Sequence, residues 1–429
     1  MRADSRRWVV PLTFLLCLGV LLLRSRGRLI HAHLWAEDGA LFLADALARG
    51  YGATLEQYAG YFHVLPRLLA ATFTLLPLEA FARLVTVTSL AFYAASASML
   101  ARPSMRALLP SDGLRVLAAV ALCFLPGLGE IAGNLANLHS AVFLAAVLLC
   151  LEDLAVPLRA WQLGLLFVIG STAGELVVLT PVFALRALVR WRRGDEPRAQ
   201  RMEWLALAII LGWVVVNTVT WHHQQSLGTF KPAERWDAID YVLGALYVFS
   251  TRFLVHPLVG DHATLWLHRS PGAFLALSAV LLALLAWRLL RTRSVTVLLL
   301  VVAALCLWGM LPLTWYVRPG SEGEPSFGLI HTTATFRDRH SWGGTPLGLL
   351  LWLVALQTLG PVRWRPALAL ALCVSFVALS LHRRKLRPYG PEQDWPATVQ
   401  KLRAIPPGQM GSVPINPPGW VIIAQGPVD

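Results

Sequence analysis

The chain has 429 residues, is 56% hydrophobic and only 14% charged, and carries a formal net charge of +13. Soluble domains are about 25% charged, whereas here the apolar residues fall in uncharged blocks near the ~20 residues a helix needs to cross a bilayer. That excludes a water-soluble globular domain of any size. Because the arginines sit between the apolar blocks, the charge reads as membrane topology, not as nucleic-acid binding.

The fold class these blocks predict is all-α: a polytopic transmembrane helical bundle of about eleven spans. Interfacial helices would lie in its outer loops, and a short outer tail would end it. Residues 1–382 form the transmembrane unit, with a first outer loop at 24–78, and 383–429 form a Pro-rich extracytoplasmic tail. The first span is 8–23; Arg24, Arg26 and Arg28 follow where a signal-peptide cleavage site would need small residues, so it is expected to remain uncleaved. A polar, aromatic stretch leads to an interfacial helix at 64–78, then to spans at 79–100, 114–125 and 138–151. The block 161–189 is too long for one span and is broken at 170–175, so two short helices meeting at a polar break are expected there. A span at 203–220 is followed by a loop, 221–271, holding one marginally apolar helix near 238–255. Spans at 272–287, 295–313, 345–360 and 367–381 complete the bundle.

With the N-terminus in the cytoplasm, 18 of the 37 Lys and Arg residues fall in about 60 cytoplasmic residues, and the outer segments are far more dilute. The C-terminus and the long loops are then extracytoplasmic. Lysine occurs only at Lys231, Lys385 and Lys401. Cys17, Cys123, Cys150, Cys306 and Cys373 all lie in apolar blocks without a CxxC, which predicts buried thiols and neither disulfides nor zinc.

Polar residues that carry chemistry concentrate on the outer side. Trp35-Ala36-Glu37-Asp38-Gly39 follows the first span. Two adjacent carboxylates separate in pKa, leaving one suited to accept a proton. The competing reading makes Asp38 the N-cap of a helix that ends at Gly50. Downstream come Tyr58, Tyr61, His63 and Arg67, either an interfacial aromatic belt or a surface where Arg67 forks onto a phosphate. Glu130, Asn134, Asn137 and His139 would share one face of a helix, as a substrate rim or as interhelical glue. Glu175 lies in the polar break, where an acidic residue at membrane depth is a functional candidate. Arg337, Arg339 and His340 precede a late span and suit an anionic headgroup, unless Arg337 and Arg339 pair with Asp338. His222-His223 offers only adjacency as a metal signal, and no cofactor is expected. No P-loop, GxSxG, HExxH or strand–turn–helix GxGxxG occurs.

These features together resemble the GT-C superfamily of membrane glycosyltransferases, in its bacterial branch using polyprenyl-phosphate sugars. The resemblance rests on the acidic pair Glu37-Asp38 in the first outer loop, the Glu130…Asn134…Asn137 segment, the Ser171…Glu175 break, Arg337 and Arg339 before a late span, and the outer tail. It implies a bacterial inner-membrane, multi-pass enzyme that moves a sugar from a lipid-linked donor to a saccharide or protein acceptor outside the cytoplasm, with inversion. Asp38, with Glu37 beside it, would be the general base, and Arg337, Arg339 or Arg67 would hold the leaving phosphate. Many members carry a large folded outer domain where this chain has 47 residues. A transporter or flippase of lipid-linked saccharides working through Glu175 and Glu130 is the alternative, followed by a surface-polysaccharide polymerase or ligase and a non-catalytic subunit.

Overall fold

In the computed structural model, residues 8–125, 127–226, 238–267, 269–292, 294–317, 343–357, 364–380 and 394–428 are described. The first span forms α1 (Val9–Arg24), whose last residue turns inward and donates to the Cys123 carbonyl. After the short α2 (Arg26–Ile30), an extended stretch runs into a π-helical turn at Asp38–Leu43 and α3 (Ala44–Arg49). A two-residue-strand hairpin, β1 (Gln57–Tyr58) and β2 (Tyr61–Phe62), precedes α4 (Val64–Phe73). These elements form the first outer loop, and α5 (Leu78–Ser98) then runs back through the bundle beside α1.

The middle of the chain supplies α6 (Asp112–Leu122), α7 (Leu128–Ile131) and α8 (Leu138–Cys150). As the sequence predicts, the long apolar block breaks: α9 (Ala160–Gly170), a 3₁₀ turn at Gly174–Leu179 and α10 (Thr180–Arg193). The next helix, α11 (Pro197–Ser226), is 30 residues long and outruns its expected limits at both ends. Its added C-terminal turn reaches the outer loops. Only 22% of its apolar window is buried, so Leu205, Leu211, Val215 and Val219 present a lipid-facing stripe.

Three expectations meet the structure differently. First, the count of about eleven spans is not confirmed. Among the described residues, four helices are long and apolar enough to cross a membrane: Leu78–Ala101, Pro197–Ser226, Val242–Gly260 and Gly272–Leu290. Shorter apolar helices of 10–17 residues accompany them among the described residues. Second, the 221–271 segment is not chiefly a loop. It carries α12 (Ala238–Phe249), a π-helical turn at Ser250–Val255 and α13 (His256–Leu267). The turn is buried in the bundle, where the Trp352 indole donates to the Phe253 carbonyl at 3.2 Å. The helices α14 (Pro271–Leu290), α15 (Val295–Val317), α16 (Gly344–Gln357) and α17 (Arg365–Ser380) follow.

Third, the fold is not purely helical. After α18 (Trp395–Arg403), the tail forms an antiparallel hairpin, β3 (Met410–Ile415) with β4 (Trp420–Gln425), in the register Val413↔Ile422 and Ile415↔Trp420. Alternation explains it: Val413, Ile415, Ile422 and Ala424 are buried on one face, as the period of two requires. That face lies on the first outer loop. Trp395, 1% exposed, plugs against Phe81 and donates its indole N–H to the Leu78 carbonyl at 2.8 Å. Burying an aromatic of this size is worth roughly 4 kcal/mol.

Candidate functional site

The acidic segment lies at an irregular point of the chain. Ala36 has φ +42°, a left-handed conformation that non-glycine residues hold at a cost of order 1–3 kcal/mol. Its N–H donates to the Asn416 carbonyl at 2.6 Å, and Trp35 forms a parallel bridge with Asn416. The backbone therefore kinks just before Glu37 and sends the two carboxylates different ways.

Asp38 is 1% exposed and accepts from the Ala136 amide through Oδ1 at 2.8 Å. It does not act as an N-cap: it is the first residue of the π-helical turn, and its carboxyl serves the 132–137 segment instead. Burial pushes its pKa well above the ordinary carboxylate value. The Ala136 and Leu135 amides work against that shift, and the neighbouring Glu37 charge adds to it. Glu37, by contrast, lines a cavity of about 530 Å³, where the Tyr58 hydroxyl donates to its Oε1 at 3.4 Å.

Several distant parts of the chain build the cavity wall. The β1–β2 hairpin, turning through Ala59 at φ +57°, presents Tyr58 and Tyr61. Gln224 of α11 fixes that turn by accepting from the Gly60 amide at 2.8 Å. His63 packs its ring 4.3 Å from Tyr61 and 6.4 Å from His139. The polar break supplies Glu175, whose Oε1 lies 2.8 Å from His139 Nδ1. Its backbone is stitched to α4: Val64 N–H donates to the Ser171 carbonyl at 3.1 Å and Leu65 N–H to the Thr172 hydroxyl at 3.2 Å. Asn217 of α11 and, on its extended end, His222 also line the cavity. The cavity thus gathers two carboxylates, imidazoles and aromatic rings among apolar side chains, the mixture expected of a ligand pocket.

The 128–139 segment departs from the single helical face expected of it. It turns sharply after α7, and Asn134 and Asn137 both donate side-chain amides to the Glu130 carbonyl, at 2.7 and 2.9 Å. Asn134 is fully buried; Asn137 and His139 reach the cavity wall, while Glu130 is not among the residues lining it. Gly133 permits the turn with φ +93°, and an added Cβ there would stand 3.0 Å from Arg28 Nη1. Arg28 itself, buried, donates to the Ala132 carbonyl at 2.5 Å and to Gly129. In the sequence, Arg24 and Arg28 are read only as charges standing where a signal-peptide cleavage site would need small residues.

Arg67 is placed behind the wall: it pairs with Asp45 at 2.5 Å and its guanidinium lies 5.5 Å from the Phe42 ring centroid. Arg337, Arg339 and His340 lie outside the described residues. Of the expected site residues, the structure brings Glu37, Tyr61, His63, Asn137, His139 and Glu175 to one cavity, with His222 as an unforeseen member.

No family model matches the chain, and no curated protein matches it. Among solved structures, the chain is similar to the oligosaccharyltransferase of Archaeoglobus fulgidus. Its apo form aligns with a TM-score of 0.42 and 13% identity over 95% of this chain and 59% of that one. The form with Zn and sulfate aligns at 0.42 and 15% over 92% and 55%. The same archaeal enzyme, AglB, in complex with an inhibitory peptide and a dolichol-phosphate aligns at 0.44 and 14% over 94% and 58%. The chain thus spans less than three-fifths of the length of these structures, and at this level of likeness its chemistry has to follow from its own cavity.

Proposed function

We propose that this chain is an inverting membrane glycosyltransferase that moves a sugar from a polyprenyl-phosphate donor to a saccharide or protein acceptor on the extracytoplasmic side of a bacterial inner membrane. The observation that carries the reading is Glu37, lining one cavity with aromatic side chains and the His139–Glu175 pair. The acceptor hydroxyl attacks the anomeric carbon while Glu37 takes its proton. The anomeric C–O bond to phosphate breaks, and the lipid phosphate departs with the electron pair. In this reading His139, paired with Glu175, donates to that phosphate, and the family resemblance assigns Arg337 and Arg339 the same task. Asp38, which faces the Ala136 amide, holds the 132–137 segment rather than the acceptor.

The opposite end of the bundle supports an enzyme over a transporter. Arg186 lies past the 3₁₀ turn that carries Glu175, on α10. There it locks onto Glu203 at 2.7 and 3.0 Å and onto the Cys150 and Glu152 carbonyls, all buried. A conduit would have to break that plug. The test is transfer from a polyprenyl-phosphate sugar by purified protein in nanodiscs. Glu37→Gln is expected to lower turnover roughly 10²–10⁴-fold, whereas Asp38→Asn, which keeps an acceptor for Ala136, stays within about tenfold. The reverse ranking returns the base to Asp38; no transfer by the wild type, with saccharide flipping in proteoliposomes, replaces the enzyme by the transporter.

A further inference from the structure

The direction in which Glu37 leaves the backbone is decided by residues 35–39, which belong to no regular element before the π-helical turn. Ala36 sits at φ +42°, and such a conformation persists only where the surroundings enforce it. What enforces it is the far end of the chain. The Asn416 carbonyl accepts from Ala36 N–H at 2.6 Å, and Trp35 bridges the same residue. Gly39 lies against the hairpin so closely that an added Cβ would stand 2.5 Å from Ile415 Cδ1 and 3.2 Å from Ile422 Cγ1. The tail is anchored at its other end too, since Trp395 N–H donates to the Ala32 carbonyl at 3.1 Å and Arg403 pairs with Glu79. Both flanks of the acidic segment are therefore tied to residues 395–425. No described residue of that tail lines the cavity, so it touches neither donor nor acceptor there.

We propose that the C-terminal hairpin is a positioning element of the site: by bonding Ala36 and packing on Gly39 it aims Glu37 into the cavity. Its role in turnover rests on the reading of Glu37 as the base; its role in aiming position 37 does not. A hairpin that only positions a base affects the chemical step and leaves donor binding alone, since the rest of the wall is unchanged.

The experiment uses the full chain. Glu37→Cys in a Cys306→Ser background is modified with a water-soluble maleimide, and the rate reports how position 37 faces the cavity. Gly39→Val, which drives a side chain into Ile415, is expected to change that rate at least fivefold. Ile415→Ala added to Gly39→Val removes the clashing atoms and is expected to restore the rate to within twofold. Should Gly39→Val fail to fold, the pair Ile415→Ala and Ile422→Ala releases the same contact from the tail's side and is expected to produce the same change. In protein with Glu37 intact, the releasing variants are expected to lower kcat about tenfold with KM for the polyprenyl-phosphate sugar unchanged. An unaltered labelling rate in a folded releasing variant overturns the proposal, as does a change in KM alone. Absence of transfer by the wild type defeats the glycosyltransferase reading and leaves the labelling result to decide the positioning.

Discussion

Asp38 keeps its carboxyl 2.8 Å from the Ala136 amide and shows 1% of its surface, while Glu37, one residue earlier, opens to the cavity. Burial raises the Asp38 pKa well above the ordinary value. A carboxyl whose folded pKa lies above its unfolded one stabilises the fold fully below the unfolded value. That contribution is lost as pH rises through the folded value. Ionised Asp38 is therefore a burden at neutral pH, and Asp38→Asn keeps the bond to Ala136 without it. The variant is expected to gain thermal stability over the wild type as pH rises from about 4. Each unit of upward shift corresponds to about 1.4 kcal/mol. Unfolding curves in detergent across that range check this; a stability difference that does not change with pH contradicts the buried, raised carboxyl.

Between elements, the strongest polar join is α10 to α11. Glu203 takes both Arg186 and Arg190, all three nearly inaccessible, and Arg190 also reaches Asp195 at 2.9 Å. In the sequence these arginines belong to the most basic segment and read as cytoplasmic charge; the structure buries two of them as a clasp. Removing one partner of a buried pair strands the rest, at a cost of about 3–5 kcal/mol. Glu203→Gln is therefore expected to lower the unfolding temperature sharply while transfer per folded molecule stays near the wild-type value. A large loss of turnover in folded Glu203→Gln would show that this end of the bundle takes part in the reaction. The break between α9 and α10 was legible because Gly170-Ser171-Thr172-Ala173-Gly174-Glu175 cannot continue an apolar span. The turn after α7 was not, since its cause is the Glu130 carbonyl gathering two asparagines and Arg28 holding the Ala132 carbonyl.

For the molecule as a whole, the bonds Ala36–Asn416 and Trp395–Ala32 put the tail and the first outer loop on one side, whatever the number of spans between them. Coupled with the arginine bias, that side is the extracytoplasmic one in the proposed orientation. An alkaline phosphatase fused after the tail is expected to be active in cells. An inactive phosphatase beside an active cytoplasmic reporter at the same position would reverse the orientation of both tail and cavity.

The sequence by itself determined the class of molecule, the helical blocks, the polar break at 170–175 and the outer-loop residues from which a site is built. These are local properties: an apolar run partitions into lipid and a Gly-rich polar run interrupts a helix, wherever the rest of the chain lies. Only the tertiary structure decided which carboxylate faces the cavity, that Arg28 clamps a turn, that Arg67 is committed to Asp45, that α11 extends far enough to deliver His222, and that a hairpin of the tail grips the acidic loop. Most of these depend on groups far apart in the chain: the Asp38 and Arg28 contacts span 98 and 104 residues. No periodicity in one dimension encodes such a pairing; it arises when desolvated donors and acceptors must find each other as the helices pack.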